Sequence, residues 1–267
     1  MNVTTRNNVR VGGCGRVTMI FSHGFGCDQS MWRYVAPSFH DRYRTVLFDL
    51  VGSGGSDLSC YDYQKYGALD GYANDVLEIL DQFADGPAVF VGHSVSAMIG
   101  MLATIRAPER FIANIMVGPS PSFLNDGDYV GGFTRPDIDG LPETLENYFL
   151  GWSSTMAPTI MGAPEQPELG QELANSFCRT DPDIAKHFAR VTFLADHRAD
   201  LTKVTTPTLI IQSDDDLLAP VGVGHYMHRA IADSRLCVVK NIGHCPHLSA
   251  PSASVDAMTS FLHALSA

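Results

Sequence analysis

Three residues of types that cooperate in nucleophilic catalysis each stand just past the end of an apolar run in this 267-residue chain. The first is Ser94, within Val89-Phe90-Val91-Gly92-His93-Ser94-Val95-Ser96. A run of β-branched and aromatic residues stops at Gly92, and small residues then lead into a helical pattern. A serine at such a corner projects from both elements, where a base can take its proton and its oxygen can attack a carbonyl carbon. The spacing G-x-S-x-G marks such a nucleophile elbow because the residues two before and two after the serine press on neighbouring backbone and must be small. Gly92 fits, and Ser96 stands where the second glycine is expected. The competing reading is a serine that merely caps a helix.

Acyl transfer builds negative charge on the carbonyl oxygen, so backbone N–H groups must already point at it. The stretch His23-Gly24-Phe25-Gly26, directly after an apolar run, frees the Phe25 amide for this task, with the Val95 amide at the start of the helix as second donor. A base also needs a buried carboxylate to orient it. The loop Gln212-Ser213-Asp214-Asp215-Asp216 offers three candidates, of which at most one should work while the others are solvated; Asp216 is the choice. The base is His244, after a glycine in Gly243-His244-Cys245-Pro246-His247, and His247, nearer the last helix, reads as structural. His93 reads as packing, and His225 and His228 as residues of a surface helix. No pair of histidines has metal-ligand spacing in a shared context, so no metal and no cofactor are expected.

The elements that must hold these residues are legible as alternating runs. Residues 17–22, 45–49, 88–92, 113–118, 208–212 and 235–239 are short, continuously apolar stretches, as strands covered on both faces should be. Between them, Tyr72, Val76, Ile79, Leu80 and Phe83 share one helical face, as do Val255, Met258, Leu262 and Leu265. This alternation predicts an α/β fold, a mostly parallel sheet with helices on both faces, and ligands bind such sheets outside the carboxyl ends of the strands. The rhythm fails between 120 and 196, where helical segments rich in Trp, Tyr, Phe and Met follow without strands. The expected organisation is a core of residues 1–119 and 197–267 with a helical cap, 120–196, inserted into it. Trp152, Met156, Ile160 and Phe193 of the cap, with Phe25, are the candidate lining of an apolar substrate pocket; Tyr148 and Met161 belong to the same aromatic and methionine-rich segment.

Composition narrows the partners. The net charge is −11 with only 18 Lys and Arg and no basic cluster, which argues against nucleic acid or an anionic membrane surface. Six scattered cysteines without a C-x-x-C pair indicate neither a zinc site nor a disulfide framework. The polar start of the chain lacks the apolar core of a signal peptide, which predicts a cytoplasmic protein. Residues 86–105 carry no formal charge and are long enough to span a bilayer, but Pro87, Gly92, His93, Ser94 and Ser96 interrupt them. They are expected to be a buried strand followed by a buried helix.

Taken together, "GHSVSAMIG", "GFGCDQSMW", "VLFDLVGSGGSDL", "YDYQKYGALDGYANDVL", "VGPSPSFLND" and "GHCPHLS" resemble the RsbQ-like α/β-hydrolases and the related plant karrikin and strigolactone receptor hydrolases, over nearly the whole chain. The order Ser94, Asp216, His244 is that of α/β-hydrolases. The resemblance implies an α/β-hydrolase core with a four-helix cap over a hydrophobic cavity, Ser94 as nucleophile, His244 as general base, Asp216 as its orienting acid, and the Phe25 and Val95 amides as oxyanion hole. It implies a serine hydrolase of small hydrophobic esters or butenolide-type lactones, with no cofactor. The alternative it carries is a slow-turnover ligand sensor that regulates a signalling partner, such as an RsbP-like phosphatase, in a stress response. Ser96 is the serine typical of the plant receptors where the bacterial proteins usually have glycine.

Overall fold

In a computed structural model the chain is described over residues 2–265, with the side chains of residues 142, 145–150, 152 and 153 outside the described set. The strands, in chain order, are β1 (Arg10–Gly12), β2 (Val17–Ser22), β3 (Tyr43–Phe48), β4 (Ala88–His93), β5 (Phe111–Val117), β6 (Thr208–Asp215) and β7 (Ser234–Ile242). They form one sheet in the order β1-β3-β2-β4-β5-β6-β7, parallel except for β1, which runs antiparallel to β3. The helices are α1 (Val3–Arg6), α2 (Leu69–Phe83), α3 (Val95–Arg106), α4 (Arg135–Met161), α5 (Pro167–Arg179), α6 (Pro182–Phe193), α7 (Val221–Ala230), α8 (Pro246–Ser249) and α9 (Pro251–Leu265).

Each of the six expected strands forms, and the reason their apolar runs are continuous is visible in the packing. Side chains alternate between faces along a strand. In β2, Ile20 belongs to the core layer that includes Tyr72, Val76 and Ile79 of α2 and Met98 of α3, whereas Met19 and Phe21 belong to the layer that includes Trp32, Val35 and Phe39 and Met258 and Phe261 of α9. Both faces are therefore core. The uncharged stretch 86–105 is β4 followed by α3, with every residue from Ala88 to Thr104 buried, and no helix among the described residues is long and apolar enough to cross a membrane.

Between β5 and β6 the described chain has no named strand and three helices, α4, α5 and α6. This corrects the expected count of four. α4 runs unbroken for 27 residues because it starts on a capping box, Thr134 with Asp137, and meets no left-handed residue until Gly162, whose φ of 66° ends it. Gly140 and Gly151 lie inside it without positive φ and do not divide it. The short α1 and β1 carry little apolar periodicity and were not expected.

Candidate active site

The loops at the carboxyl ends of β2, β4, β6 and β7 converge, and each carries one of the four motifs. The turn from β4 into α3 is tight. Ser94 has φ 56° and ψ −122°, a conformation that a non-glycine residue adopts at a cost on the order of 1–3 kcal/mol. The surroundings hold it there: its amide donates to the Val117 carbonyl at 2.8 Å, and its carbonyl accepts from Ala97 at 2.9 Å. Gly92 has to be glycine, since a Cβ at that position would stand 2.4 Å from the Ser96 carbonyl oxygen. Ser96, in the second glycine position, is fully buried with its hydroxyl bonded to Ser22 and to the His23 carbonyl.

Ser94 Oγ lies 2.8 Å from His244 Nε2, and His244 Nδ1 lies 2.7 Å from Asp216 Oδ2. All three residues are buried. The other carboxylate oxygen, Asp216 Oδ1, accepts from the amides of Leu218 and Ala219 at 2.9 and 3.1 Å. Asp216 Oδ2 therefore accepts a hydrogen bond from Nδ1–H of His244, which leaves Nε2 as the acceptor facing the serine hydroxyl. The other two aspartates point elsewhere. Asp214 bonds to Lys240 Nζ at 2.7 Å and to the Asn241 amide at 2.9 Å, and this lysine holds its carboxyl below the usual range. Asp215 is exposed.

The turn after β2 lies against the same corner. A Cβ on Gly24 would stand 2.5 Å from His93 Nδ1 and 3.3 Å from Ser94 Cβ, so only glycine lets the turn approach. Phe25, the next residue, lines the same cavity as Ser94, and among the described residues no hydrogen bond uses its amide. Val95 is the first residue of α3, where an amide has no partner within the helix. His93 itself packs behind the site: its Nε2–H donates to the His244 carbonyl at 2.9 Å. The His244 amide in turn donates to the Ile160 carbonyl at 2.8 Å, at the end of α4. Gly162 and Gly243 meet backbone to backbone there; a Cβ on Gly243 would stand 2.0 Å from the Met161 carbonyl oxygen. The histidine loop is thus fastened to the segment between β5 and β6. Spacing along the chain gave no sign of this.

A cavity opens over Ser94, its empty space about 430 Å³ including the part that opens to solvent. Of the five expected lining residues, Phe25, Ile160 and Phe193 line it. Met156 does not: it lines a neighbouring groove with Ile138 and Leu141, which shares Phe193 and Leu218 with the cavity. It sits one turn before Ile160 on the same face of α4, and that displacement along the helix puts it over the neighbouring groove instead of over the serine. The side chain of Trp152 lies outside the described residues. The remaining wall, unforeseen from the sequence, comprises Cys27, Phe123, Leu173, Phe177, Leu218 and Cys245, together with Thr192. Phe177 had one signal: Gly26, with φ 70°, would carry a Cβ only 1.8 Å from the Phe177 ring, so the second glycine of the His23–Gly26 turn makes room for that ring. Burial pushes the thiols of Cys27 and Cys245 up, so both are protonated, apolar wall.

A parallel sheet with a serine elbow at its centre and a histidine and carboxylate on later strand ends is the architecture of an α/β-hydrolase. The model of the Alpha/beta hydrolase family matches residues 19–257, and the chain belongs to that family. It is 38% identical over 262 residues to the karrikin insensitive 2 receptor CA of Petunia hybrida, covering 98% of this chain and 97% of that protein. It is 39% identical over 252 residues to the strigolactone esterase D14 of Arabidopsis thaliana, covering 94% of each. Among solved structures, a hydrolase from Oleispira antarctica superposes with a TM-score of 0.94 at 41% identity, over 98% of this chain and 96% of that one. The plant karrikin and strigolactone proteins of the sequence resemblance are thus relatives over nearly the full length.

Proposed function

We propose that the protein hydrolyses small, predominantly apolar carboxylic esters or lactones through a Ser94 acyl-enzyme. The observation that carries this reading is the 2.8 Å contact between Ser94 Oγ and His244 Nε2 on the floor of an apolar cavity. His244 takes the Ser94 proton as Oγ attacks the carbonyl carbon, and Asp216 stabilises the imidazolium that results. The Phe25 and Val95 amides receive the charge that develops on the carbonyl oxygen. His244 then returns the proton to the leaving alkoxide oxygen, and a water activated by the same ring releases the acid. The segment 120–196 acts as the cap. It supplies Phe123, Ile160, Phe177 and Phe193 to the wall, and this aromatic lining favours compact hydrocarbon-rich substrates over charged or polymeric ones.

A second reading, a slow hydrolase that senses its ligand and signals to a partner protein, is supported by two observations. A relative that matches nearly end to end is named a receptor, and the cavity over Ser94 is walled by Phe123, Ile160, Phe177 and Phe193 of the segment between β5 and β6, so a bound ligand touches that segment. A ligand shifts a conformational equilibrium only while it stays differentially bound. The test is hydrolysis of short p-nitrophenyl esters and butenolides by the wild type and Ser94→Ala, with thermal melting alongside. The variant should lose hydrolysis while keeping its fold, and normal turnover by it would end the hydrolase reading. Turnover of hundreds per second without a ligand-dependent melting shift would leave the plain enzyme and remove the sensor.

A further inference from the structure

We propose that Thr192 is a ligand-recognition residue, whose hydroxyl donates to a second acceptor oxygen of the substrate, an ether or carbonyl oxygen separate from the scissile ester. The inference rests on the hydrolase reading and names a feature of the substrate that the triad does not specify. Thr192 lies in the last turn of α6 and lines the cavity that holds Ser94. It is 3% exposed, and its Oγ1 has no hydrogen-bond partner among the described residues. A helical threonine ordinarily closes its hydroxyl on a carbonyl three or four residues back; this one does not. The other polar side chains lining the cavity, Ser94, His93 and His244, belong to the reacting corner and its support, and Cys27 already bonds to the Phe25 carbonyl.

An unused O–H in an apolar wall destabilises the empty protein, and a ligand that supplies an acceptor removes that cost. A valine would fill the same space without it. The hydroxyl therefore discriminates. A substrate with oxygen at the right position gains a bond, and its hydrocarbon isostere leaves the donor unpaired, which is the arrangement that gives polar sites their selectivity.

The experiment uses p-nitrophenyl alkanoates and analogues in which one CH₂ is replaced by oxygen at successive positions, each normalised to its alkaline hydrolysis rate. In the wild type one ether position should be preferred over its isostere. Thr192→Val should cut that preference about tenfold, mainly through KM because the bond exists in ground and transition states alike. Thr192→Ser should retain the preference. The ligand-free melting temperature of Thr192→Val should hold or rise, since an unpartnered hydroxyl has been removed. A preference unchanged in Thr192→Val at every position overturns the inference, as does a melting temperature lowered by several degrees, which would reveal a structural bond. Ser94→Ala separates the two levels. If it still hydrolyses the series, the hydrolase reading itself fails; if it is inactive while Thr192→Val keeps the wild-type preference, only the role of Thr192 fails.

Discussion

The Ser96 hydroxyl lies 2.8 Å from that of Ser22 and donates to the carbonyl of His23, so the residue in the second glycine position of the elbow ties the helix start to the end of β2. With its own hydroxyl donating to the His23 carbonyl, Ser96 Oγ accepts a hydrogen bond from the Ser22 hydroxyl. All three residues are buried. The bond fixes the backbone that leads directly to Gly24 and Phe25, which is where the developing oxyanion needs a donor. A larger elbow residue has here become a brace.

Ser96→Ala should therefore destabilise the protein by about 1–3 kcal/mol, the cost of leaving the Ser22 hydroxyl buried and unpaired. It should also lower kcat by loosening the Phe25 turn. The double variant Ser22→Ala with Ser96→Ala should recover part of the stability, because both ends of the bond are then apolar. Denaturant unfolding of the four proteins measures the coupling. Strictly additive losses would mean that the two hydroxyls do not depend on each other.

The three consecutive aspartates make a sharper comparison. In Asp216→Asn, Oδ1 can still accept from Leu218 and Ala219, but the amide NH₂ then faces His244 Nδ1. That arrangement favours the tautomer with its proton on Nε2, pointing at Ser94, and a base in that state cannot accept. The loss of kcat should be on the order of 10⁴. Asp214→Asn gives up an ion pair with a solvent-exposed lysine, and Asp215→Asn changes an exposed side chain, so both should stay within a few-fold of wild type. Steady-state rates on one ester suffice, and equal losses at all three positions would mean that Asp216 does not orient the base.

How much of this was legible follows from what each residue touches. The six strands were readable because each is covered on both faces and its apolar run is uninterrupted, as in Met19-Ile20-Phe21, which faces α2 and α3 on one side and α9 on the other. Ser94, Asp216 and His244 were nominated by strand-end position and local chemistry, and folding brings them into one hydrogen-bonded chain. The cavity wall was harder. Met156 and Ile160 are equally apolar and one turn apart, and only the seating of α4 decides which faces the serine. Phe177 reads as one aromatic on an amphipathic helix, and its partner Gly26 is 151 residues away. The first strand, Arg10-Val11-Gly12, is too short and too exposed to show a period.

The last prediction concerns two histidines behind the site. His247 is fully buried, packed on Trp32 at 4.6 Å between ring centroids and on His93 at 4.3 Å, with no hydrogen bond to either ring nitrogen among the described residues. Burial, with smaller contributions from His244 and Arg33, lowers its pKa from 6.5 to about 3; burial, with His247 and His244 nearby, lowers that of His93 well below its ordinary value. Each is thus neutral in the folded state and takes up a proton on unfolding below about pH 6.5. Their neutral burial is without penalty above pH 6.5. Stability falls as pH drops from there towards 3, by at most about 1.4 kcal/mol per pH unit for each proton taken up. His247→Phe should flatten this dependence by about one proton whatever it does to stability at pH 7. Denaturant unfolding from pH 7 to 4.5 measures the slope, and identical slopes in wild type and variant would show that His247 does not titrate in this way.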